Sequence, residues 1–200
     1  MSRKLIVLPD DTADAIIKPI AEASKSIDIR MFVFTSRPLL DAVTSAQRRG
    51  VAVRVMLNPA RRNGVCENEE ARRALEDAGV QVRDSSPDFA LTHQKSMVID
   101  SEIGFVKSLN WDDRNLTETR DYVVSTRDHS EVSEMVQCFE CDWAREPFEP
   151  VHNSSLIWCP NNGRARLAAF IDGAKHSLWV QNERYQDCLL YTSDAADERS

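Results

Sequence analysis

The 200-residue sequence contains no apolar run close to the length of a membrane-spanning helix, so it gives no reason to expect an integral membrane protein. Its first apolar stretch, residues 5–8, is too short for the core of a signal peptide and is closed by Pro9. We therefore expect a cytoplasmic protein by default, with peripheral attachment to a membrane as the alternative.

The sequence also lacks an excess of positive charge, because its formal net charge at pH 7 is −7. Broad binding of nucleic acid through overall charge is therefore disfavoured, although a local basic pocket remains compatible with this composition. Nucleic acid is therefore a possible but less favoured partner of this chain.

No cluster of cysteine and histidine has the spacing of a zinc site. Cys138 and Cys141 lie three residues apart in a segment, 131–143, whose apolar spacing predicts a helix. A zinc site would need a second pair of ligands, and only distant single residues are available. We predict no metal, and the scattered cysteines favour reduced thiols in an intracellular compartment.

The last residues, 188–200, have no periodic pattern and resemble the translation of an adapter sequence used in preparing DNA libraries. We interpret them as a non-native tail and exclude them from the fold. The natural protein is then expected to continue past Asp187.

The main candidate site is a run in which His93, Lys95 and Asp100 follow the pattern H-x-K-x-x-x-x-D. Residues 91–99 mix apolar, β-branched and polar side chains without Gly or Pro, which predicts a strand. Residues i and i+2 of a strand share a face, so His93 and Lys95 should project together. Asp100 has the opposite parity, and we assign it a structural, charge-pairing role.

Two further predicted strands add polar side chains to this site. A strand at 103–110 would place Ser108 and Asn110 on one face, and a strand at 120–126 carries Asp121 near its start. Pairing of the three strands in one sheet would gather five side chains: His93, Lys95, Ser108, Asn110 and Asp121.

The order of the predicted elements indicates an α/β fold, a mixed β-sheet flanked by helices. Strands and helices alternate through the first half of the chain. The predicted strands are 5–8, 27–34, 51–57 and 80–82, and the predicted helices begin near residue 12, at 36 and near 69.

An internal repeat suggests the domain organisation. Residues 5–34 align without gaps on residues 156–185, with six identities and several conservative pairs on the same strand–helix–strand pattern. We predict a first domain at 1–148, a linker with the truncated start of a second copy at 149–187, and the tail at 188–200. The second copy's own H-x-K would fall beyond the end of this chain.

The His-Lys-Asp run, followed by Ser108-x-Asn110, resembles the signature of the phospholipase D superfamily. The resemblance implies the fold of that superfamily and a metal- and cofactor-independent attack of histidine on phosphorus. His93 would be the nucleophile or the acid that protonates the leaving group, and Asp121 would orient it. Lys95 and Asn110 would bind phosphate oxygens, with Ser108 in support.

One residue departs from the family pattern, which has glycine before the serine where this chain has Lys107. Because Lys107 has the opposite strand parity from Ser108, we expect its side chain to point away from the site. Trp111 is expected in the core rather than in the pocket.

Three functions are compatible with these residues. The leading hypothesis is a phosphodiesterase or phosphatidyltransferase that acts on phospholipids through a phosphohistidine, and that is incomplete in this fragment. A superfamily nuclease acting as a homodimer and a non-catalytic module that binds phosphate or a partner are the alternatives. The partner of the site would be a second His-Lys half, either in cis or in a homodimer.

Overall fold

The computed structural model describes residues 3–60 and 64–181, and the chain divides into two compact units, Met1–Phe148 and Glu149–Ser200. The predicted tail and the end of the repeat, residues 182–187, lie outside the described residues. The first unit contains the strands β1 (Arg3–Leu8), β2 (Ser26–Met31), β3 (Ala52–Leu57), β4 (Gln81–Asp84), β5 (Ser96–Ile99), β6 (Ile103–Lys107) and β7 (Asp121–Thr126). Its helices are α1 (Asp14–Glu22), α2 (Arg37–Arg48), α3 (Glu69–Asp77), α4 (Asp113–Thr117) and α5 (His129–Ala144).

The seven strands form one sheet in the order β1-β7-β6-β5-β2-β3-β4. Strands β2, β3 and β4 are parallel, joined by the crossover helices α2 and α3, whereas the other neighbours pair antiparallel. The predicted mixed sheet flanked by helices is therefore confirmed.

Helices cover both faces of the sheet. On one face the apolar sides of α1, α2 and α3 join the strands in a single core, where Ile16 and Ile20 of α1 are completely buried. On the other face lies α5, whose Asp142 pairs with buried Arg30 of β2 at 3.2 Å. We call these the core face and the α5 face.

The ends of α2 follow the sequence signals. Ser36 occupies the N-cap position with extended backbone, Pro38 lies in the first turn, and Gly50 follows the helix with φ of +93°. A left-handed backbone at this turn favours glycine, so Gly50 ends the helix where the sequence predicts it.

The strand predicted at 91–99 is shorter in the structure, because β5 begins at Ser96. Its neighbour β2 ends at Met31, one residue beyond the last pair of Arg30 with Ser96, so residues 91–94 have no β2 residue alongside to continue the ladder. The backbone N–H of Thr92 instead donates to Oδ1 of Asn58 at 2.9 Å. His93 and Lys95 therefore lie in an irregular segment, and the prediction that places them in a strand is wrong.

The strand predicted at 103–110 also ends early, at Lys107. Beyond it the chain turns across the sheet, and the N–H of Trp111 donates to the carbonyl oxygen of Val33 at 2.9 Å. Ser108 and Asn110 thus follow β6 rather than belong to it, and strict two-residue alternation does not apply to them.

The described part of the second unit, 149–181, contains one helix, α6 (Gly163–Asp172). It lies where the repeat predicts the counterpart of α1. Residues 156–159 do not form a strand there. None of the helices in residues 3–60 and 64–181 is long and apolar enough to cross a membrane.

Candidate active site

The predicted site residues, apart from Asp100, lie along one edge of the sheet. Strands β2 and β3 end at this edge, β5 begins there, β6 ends there and β7 begins there. In open α/β sheets, ligands bind outside the carboxyl ends of the parallel strands, which is this edge.

Lys95 and His93 are held together by a backbone contact and a shared aromatic ring. The ammonium of Lys95 donates to the carbonyl oxygen of His93 at 2.8 Å. It also lies 5.1 Å from the ring centroid of Phe32, and the imidazole of His93 packs edge-on against the same ring at 4.5 Å. Phe32, the first residue after β2, thus positions both groups.

Two buried asparagines anchor this segment to the ends of the parallel strands. Asn58 lies directly after β3, and its side-chain Oδ1 accepts a hydrogen bond from the backbone N–H of Thr92. Its backbone carbonyl oxygen accepts one from the side-chain amide of Asn68 at 2.9 Å. Asn68 also donates to the carbonyl oxygen of Phe32 at 2.9 Å and accepts the N–H of Phe34 at 2.8 Å. These bonds connect the segment before β5 to the aromatic ring it contacts.

Asp121 is the acceptor of a small hydroxyl and amide network. Its Oδ1 accepts from Oγ of Ser108 at 2.6 Å, and its Oδ2 accepts from Oγ1 of Thr119 at 2.6 Å and Nδ2 of Asn115 at 3.3 Å. Ser108 and Asp121 therefore do meet. The hydrogen bond from His93 to Asp121 that the sequence analysis suggests stays a prediction.

The pKa of Lys95 is lowered in the folded protein. Only 5% of the residue is exposed, and its burial lowers its pKa to about 8, while the charge of Asp121 opposes this shift. The carboxylate network thus favours the charged form of Lys95, the form that binds an anion.

Asn110 and Trp111 lie just after β6. Asn110 is half-buried, and its Oδ1 is buried without a hydrogen-bond partner within the part of the chain that the structure describes. Trp111 is fully buried and packs edge-on against Phe34 at 4.8 Å, so it is a core residue, as the sequence analysis expected.

Lys107 does not point away from the site. Its backbone N–H donates to the carbonyl oxygen of Lys95 at 2.9 Å, which extends the β5–β6 register by one pair and sets the two lysines opposite each other. Opposite residues of antiparallel strands project to the same face. The expectation is wrong because two-residue alternation does not extend to Ser108, which lies outside β6.

Asp100 lies at the other end of β5, away from Lys95. Its carboxylate accepts the backbone N–H groups of Ser24, Lys25 and Ser26, the last two at 2.7 and 2.9 Å. Partial burial works against it, but these hydrogen bonds together lower the pKa of Asp100. Its hydrogen bonds are with the hydroxyl of Ser24 and with backbone amides at and just before the start of β2, whereas the sequence analysis expected a charge pair.

Three residues that position the site, Phe32, Asn58 and Asn68, are not among those predicted from the sequence. A signal for two of them was present, because Phe32 and Asn58 directly follow apolar runs that become neighbouring parallel strands. Asn68 lies in a polar stretch without such a mark. No group of three or more His, Cys, Asp or Glu side chains in residues 3–60 and 64–181 could hold a metal ion.

Fold and site together define a class: an α/β domain with a mixed sheet that carries a buried lysine, an exposed imidazole and a half-buried amide at the edge where the parallel strands end. A family model described as "Cardiolipin synthase, PLD-like domain" matches residues 16–143, well over half of the chain. The chain belongs to this family, which confirms the resemblance to the phospholipase D superfamily.

Relatives with curated names match across a similar range. The mitochondrial cardiolipin hydrolase of Homo sapiens is 31% identical over 136 residues, which cover 68% of this chain and 51% of that protein. Cardiolipin synthase 1 of Bacillus cereus is 26% identical over 145 residues, covering 64% of this chain and 28% of that protein. The chain thus spans about half, or less, of the length of these relatives.

Solved structures share the fold. Nuc from Salmonella typhimurium, described as a phospholipase D family member, superposes with a TM-score of 0.65 at 19% identity, covering 75% of this chain and 99% of that chain. NucT from Helicobacter pylori gives a TM-score of 0.61 at 21% identity, with coverages of 71% and 95%.

Proposed function

We propose that the natural protein is a metal-independent phosphodiesterase or phosphatidyltransferase that acts on phospholipids, with His93 and Lys95 in its active site. The observation that carries the proposal is the fixed pairing of these two groups, in which Lys95 donates to the carbonyl of His93 and both contact Phe32. Relatives named cardiolipin hydrolase and cardiolipin synthase favour a lipid substrate.

In the proposed reaction a ring nitrogen of one catalytic histidine attacks phosphorus. The bond from phosphorus to the leaving alcohol breaks, and the other histidine protonates that oxygen. Water or an acceptor alcohol then attacks phosphorus, the P–N bond breaks, and the second histidine takes up the proton of the incoming hydroxyl. His93 supplies one of the two imidazoles.

The other side chains support this displacement. Lys95 and Asn110 would hold the non-bridging oxygens, on which negative charge builds in the transition state. Asp121 would accept a hydrogen bond from the far nitrogen of His93 and fix its tautomer. The donors to Asp121, from Ser108 and Thr119, keep its carboxylate oriented.

The second histidine is proposed to come from a second copy of the domain, which begins at 149–187 after a first domain at 1–148; residues 188–200 are proposed to be non-native. A repeated turn supports the duplication. The N–H of Val7 donates to Asp11, and the carbonyl of Val7 accepts the N–H of Asp11 at 2.7 Å. At an offset of 151, Trp158 and Asn162 make the same two bonds, at 2.8 and 2.9 Å.

A homodimeric nuclease is the second candidate. It is favoured by the extent of the superposition, in which 75% of this chain covers 99% of the Nuc chain, so that a domain of about this size accounts for that whole chain. The net charge of −7 counts against it, because a nuclease site must attract a polyanion.

The test compares cardiolipin or phosphatidylglycerol vesicles with plasmid DNA, in EDTA, using the protein that carries both copies. We expect the wild type to turn over lipid and to form a phosphoprotein that can be trapped. His93→Ala should reduce the rate at least about a thousandfold and should form no such phosphoprotein. His129→Ala, an exposed histidine at the start of α5, is the matched control.

Each outcome decides between the candidates. Wild-type rates in His93→Ala would refute the assignment of that residue. Cleavage of DNA without lipid turnover would favour the nuclease, and binding of anions without turnover of either substrate would favour the non-catalytic module.

A further inference from the structure

Lys107 is a buried lysine that the proposed reaction does not use. Its residue is 6% exposed, and its Nζ has no hydrogen-bond partner among the described residues. A buried amine without an acceptor is unusual, because an ammonium ion away from water needs a carboxylate or several oxygen atoms to be stable.

Among the described residues, no carboxylate forms a hydrogen bond with Lys107. Lys107 lies opposite Lys95 of the segment that leads into β5 and opposite Val123 of β7. Asp121, two residues before Val123, is on the same face of the sheet. Asp121 acts on Lys95, whereas the charge that acts on Lys107 is that of Lys95 itself. The buried side chains of α1 and α2 on this face are apolar except Thr44.

One contact does favour a positive charge at this position. The Nζ of Lys107 lies 4.7 Å from the ring centroid of Trp111, a geometry in which an ammonium is attracted to the aromatic face. That attraction does not offset full burial, since burial and the charge of Lys95 lower the pKa of Lys107 to about 7. An additional negative charge near Lys95 would favour the protonated form of Lys107.

We propose that Lys107 is a second cation of the anion site, which takes up a proton when a tetrahedral anion such as a phosphodiester binds at Lys95 and His93. This inference rests on the proposed function, because it needs an anion at Lys95. The geometry that carries it is the cross-strand pairing of the two lysines at the edge of the core face. Lys107 occupies the position where the superfamily pattern has glycine, so the second cation would be a property of this chain.

The physical consequence is a reciprocal coupling. If the bound anion raises the pKa of Lys107, protonation of Lys107 must strengthen binding of the anion by the same factor. A tenfold coupling corresponds to a rise of about one pH unit in the titration midpoint of Lys107.

Sulfate is a suitable probe because its own charge does not change around neutral pH. The chain would be labelled with 13C at the ε carbons of lysine, and the Lys107 signal assigned as the one missing from Lys107→Met. We expect saturating sulfate to raise the midpoint of that signal by about one pH unit. Lys107→Met should bind sulfate about fivefold more weakly at about pH 7, where about half of the sulfate-free wild type already carries the proton, and about tenfold more weakly well below this pH.

The matched control is Lys18→Met, which removes the same charge from an exposed lysine paired with Glu22 on α1. It should bind sulfate as the wild type does. Lys107→Gln, measured in parallel, retains a polar side chain and should lose the same affinity as Lys107→Met.

The outcomes separate this inference from the proposed function. Loss of sulfate binding in Lys95→Met, combined with wild-type affinity in Lys107→Met and an unmoved Lys107 midpoint, overturns the inference alone. Equal binding by the wild type and Lys95→Met, or no binding by the wild type, overturns the anion site and with it the inference.

Discussion

The ammonium of Lys95 donates a hydrogen bond to the backbone carbonyl of His93 at 2.8 Å, so cation and imidazole are carried by one short segment with a fixed internal geometry. The segment is irregular rather than a strand, and its position depends on side chains from the ends of β2 and β3. We therefore expect the proposed site to be sensitive to residues outside the segment that carries His93 and Lys95.

Asn58 is the first such residue, because its Oδ1 accepts the N–H of Thr92 beside His93. We expect Asn58→Ala to weaken sulfate binding at least about fivefold, since a displaced segment misplaces both groups. Unfolding in urea should show a loss of about 1–2 kcal/mol for the missing hydrogen bonds. The affinity is measured by calorimetry.

The control for Asn58 is Ser24→Ala, which removes a hydroxyl that donates to Asp100 at 3.0 Å, at the far edge of the sheet. It should lower stability slightly and leave the affinity for sulfate unchanged. If Asn58→Ala bound sulfate as Ser24→Ala does, the segment would not depend on this anchor.

Asp121 is expected to set the pH range in which the site binds anions. Lys95 has a pKa of about 8, so its charge, and sulfate affinity with it, should decline as the pH rises through about 8. Asp121→Asn removes the charge that opposes the lowering of this pKa, so the decline should move to lower pH, by about half a pH unit.

Sulfate affinity as a function of pH is the measurement, and Asp77→Asn, at the end of α3, is the control with the same change of net charge. Its profile should match the wild type. An unchanged profile in Asp121→Asn would mean that this carboxylate does not act on Lys95.

Lys107 should make stability depend on pH. The unfolded chain keeps this lysine protonated up to its ordinary pKa of 10.5, and the folded protein only up to about 7. Between these values the unfolded state holds more protons, so stability rises with pH, by a total on the order of 5 kcal/mol.

The variant Lys107→Met should therefore be more stable than the wild type at about pH 7, by at least about 2 kcal/mol, and its stability should vary much less between about pH 7 and 8; above about pH 8 Lys95 causes a remaining rise in both proteins. Urea unfolding across this range is the check. If the stability of Lys107→Met rose with pH as steeply as that of the wild type, a group other than Lys107 would cause the pH dependence. Together with weaker sulfate binding, the expected gain would make Lys107 a residue that lowers stability in favour of binding.

Asp100 should affect the fold and not the chemistry. Asp100→Ala removes an acceptor of three backbone N–H groups and should cost about 2 kcal/mol, whereas Asp100→Asn retains an acceptor and tolerates the observed φ of +56°. Because the folded pKa is lowered, the contribution of Asp100 is present above its ordinary pKa and lost as the pH falls through the folded value. Sulfate affinity of the folded variants should remain at the wild-type level.

Most of the fold can be predicted from the sequence, because in most elements the local sequence signals and the tertiary structure agree. The alternating apolar runs predict β1 to β4, and Ser36, Pro38 and Gly50 mark the ends of α2 as the structure has them. In such elements propensity, capping and burial favour the same conformation, so no long-range information is needed.

The edge of the sheet is where sequence reasoning fails. Strand parity predicted that His93 and Lys95 share a face and that Lys107 points away, but both arguments assume ladders longer than those that form. A strand continues only as far as its neighbours pair with it, and β2 ends at Met31. The length of β5 was therefore decided by a strand more than sixty residues away in the sequence.

The sequence by itself determined which residue types are available: an imidazole, two amines, an amide and a carboxylate within thirty positions of one another, together with the family to which the chain belongs. The tertiary structure alone decided that the two amines lie opposite each other across β5 and β6 and that the Nζ of Lys107 is buried without a hydrogen-bond acceptor among the described residues. Register and desolvation are properties of paired strands and packed side chains, and no single segment encodes either.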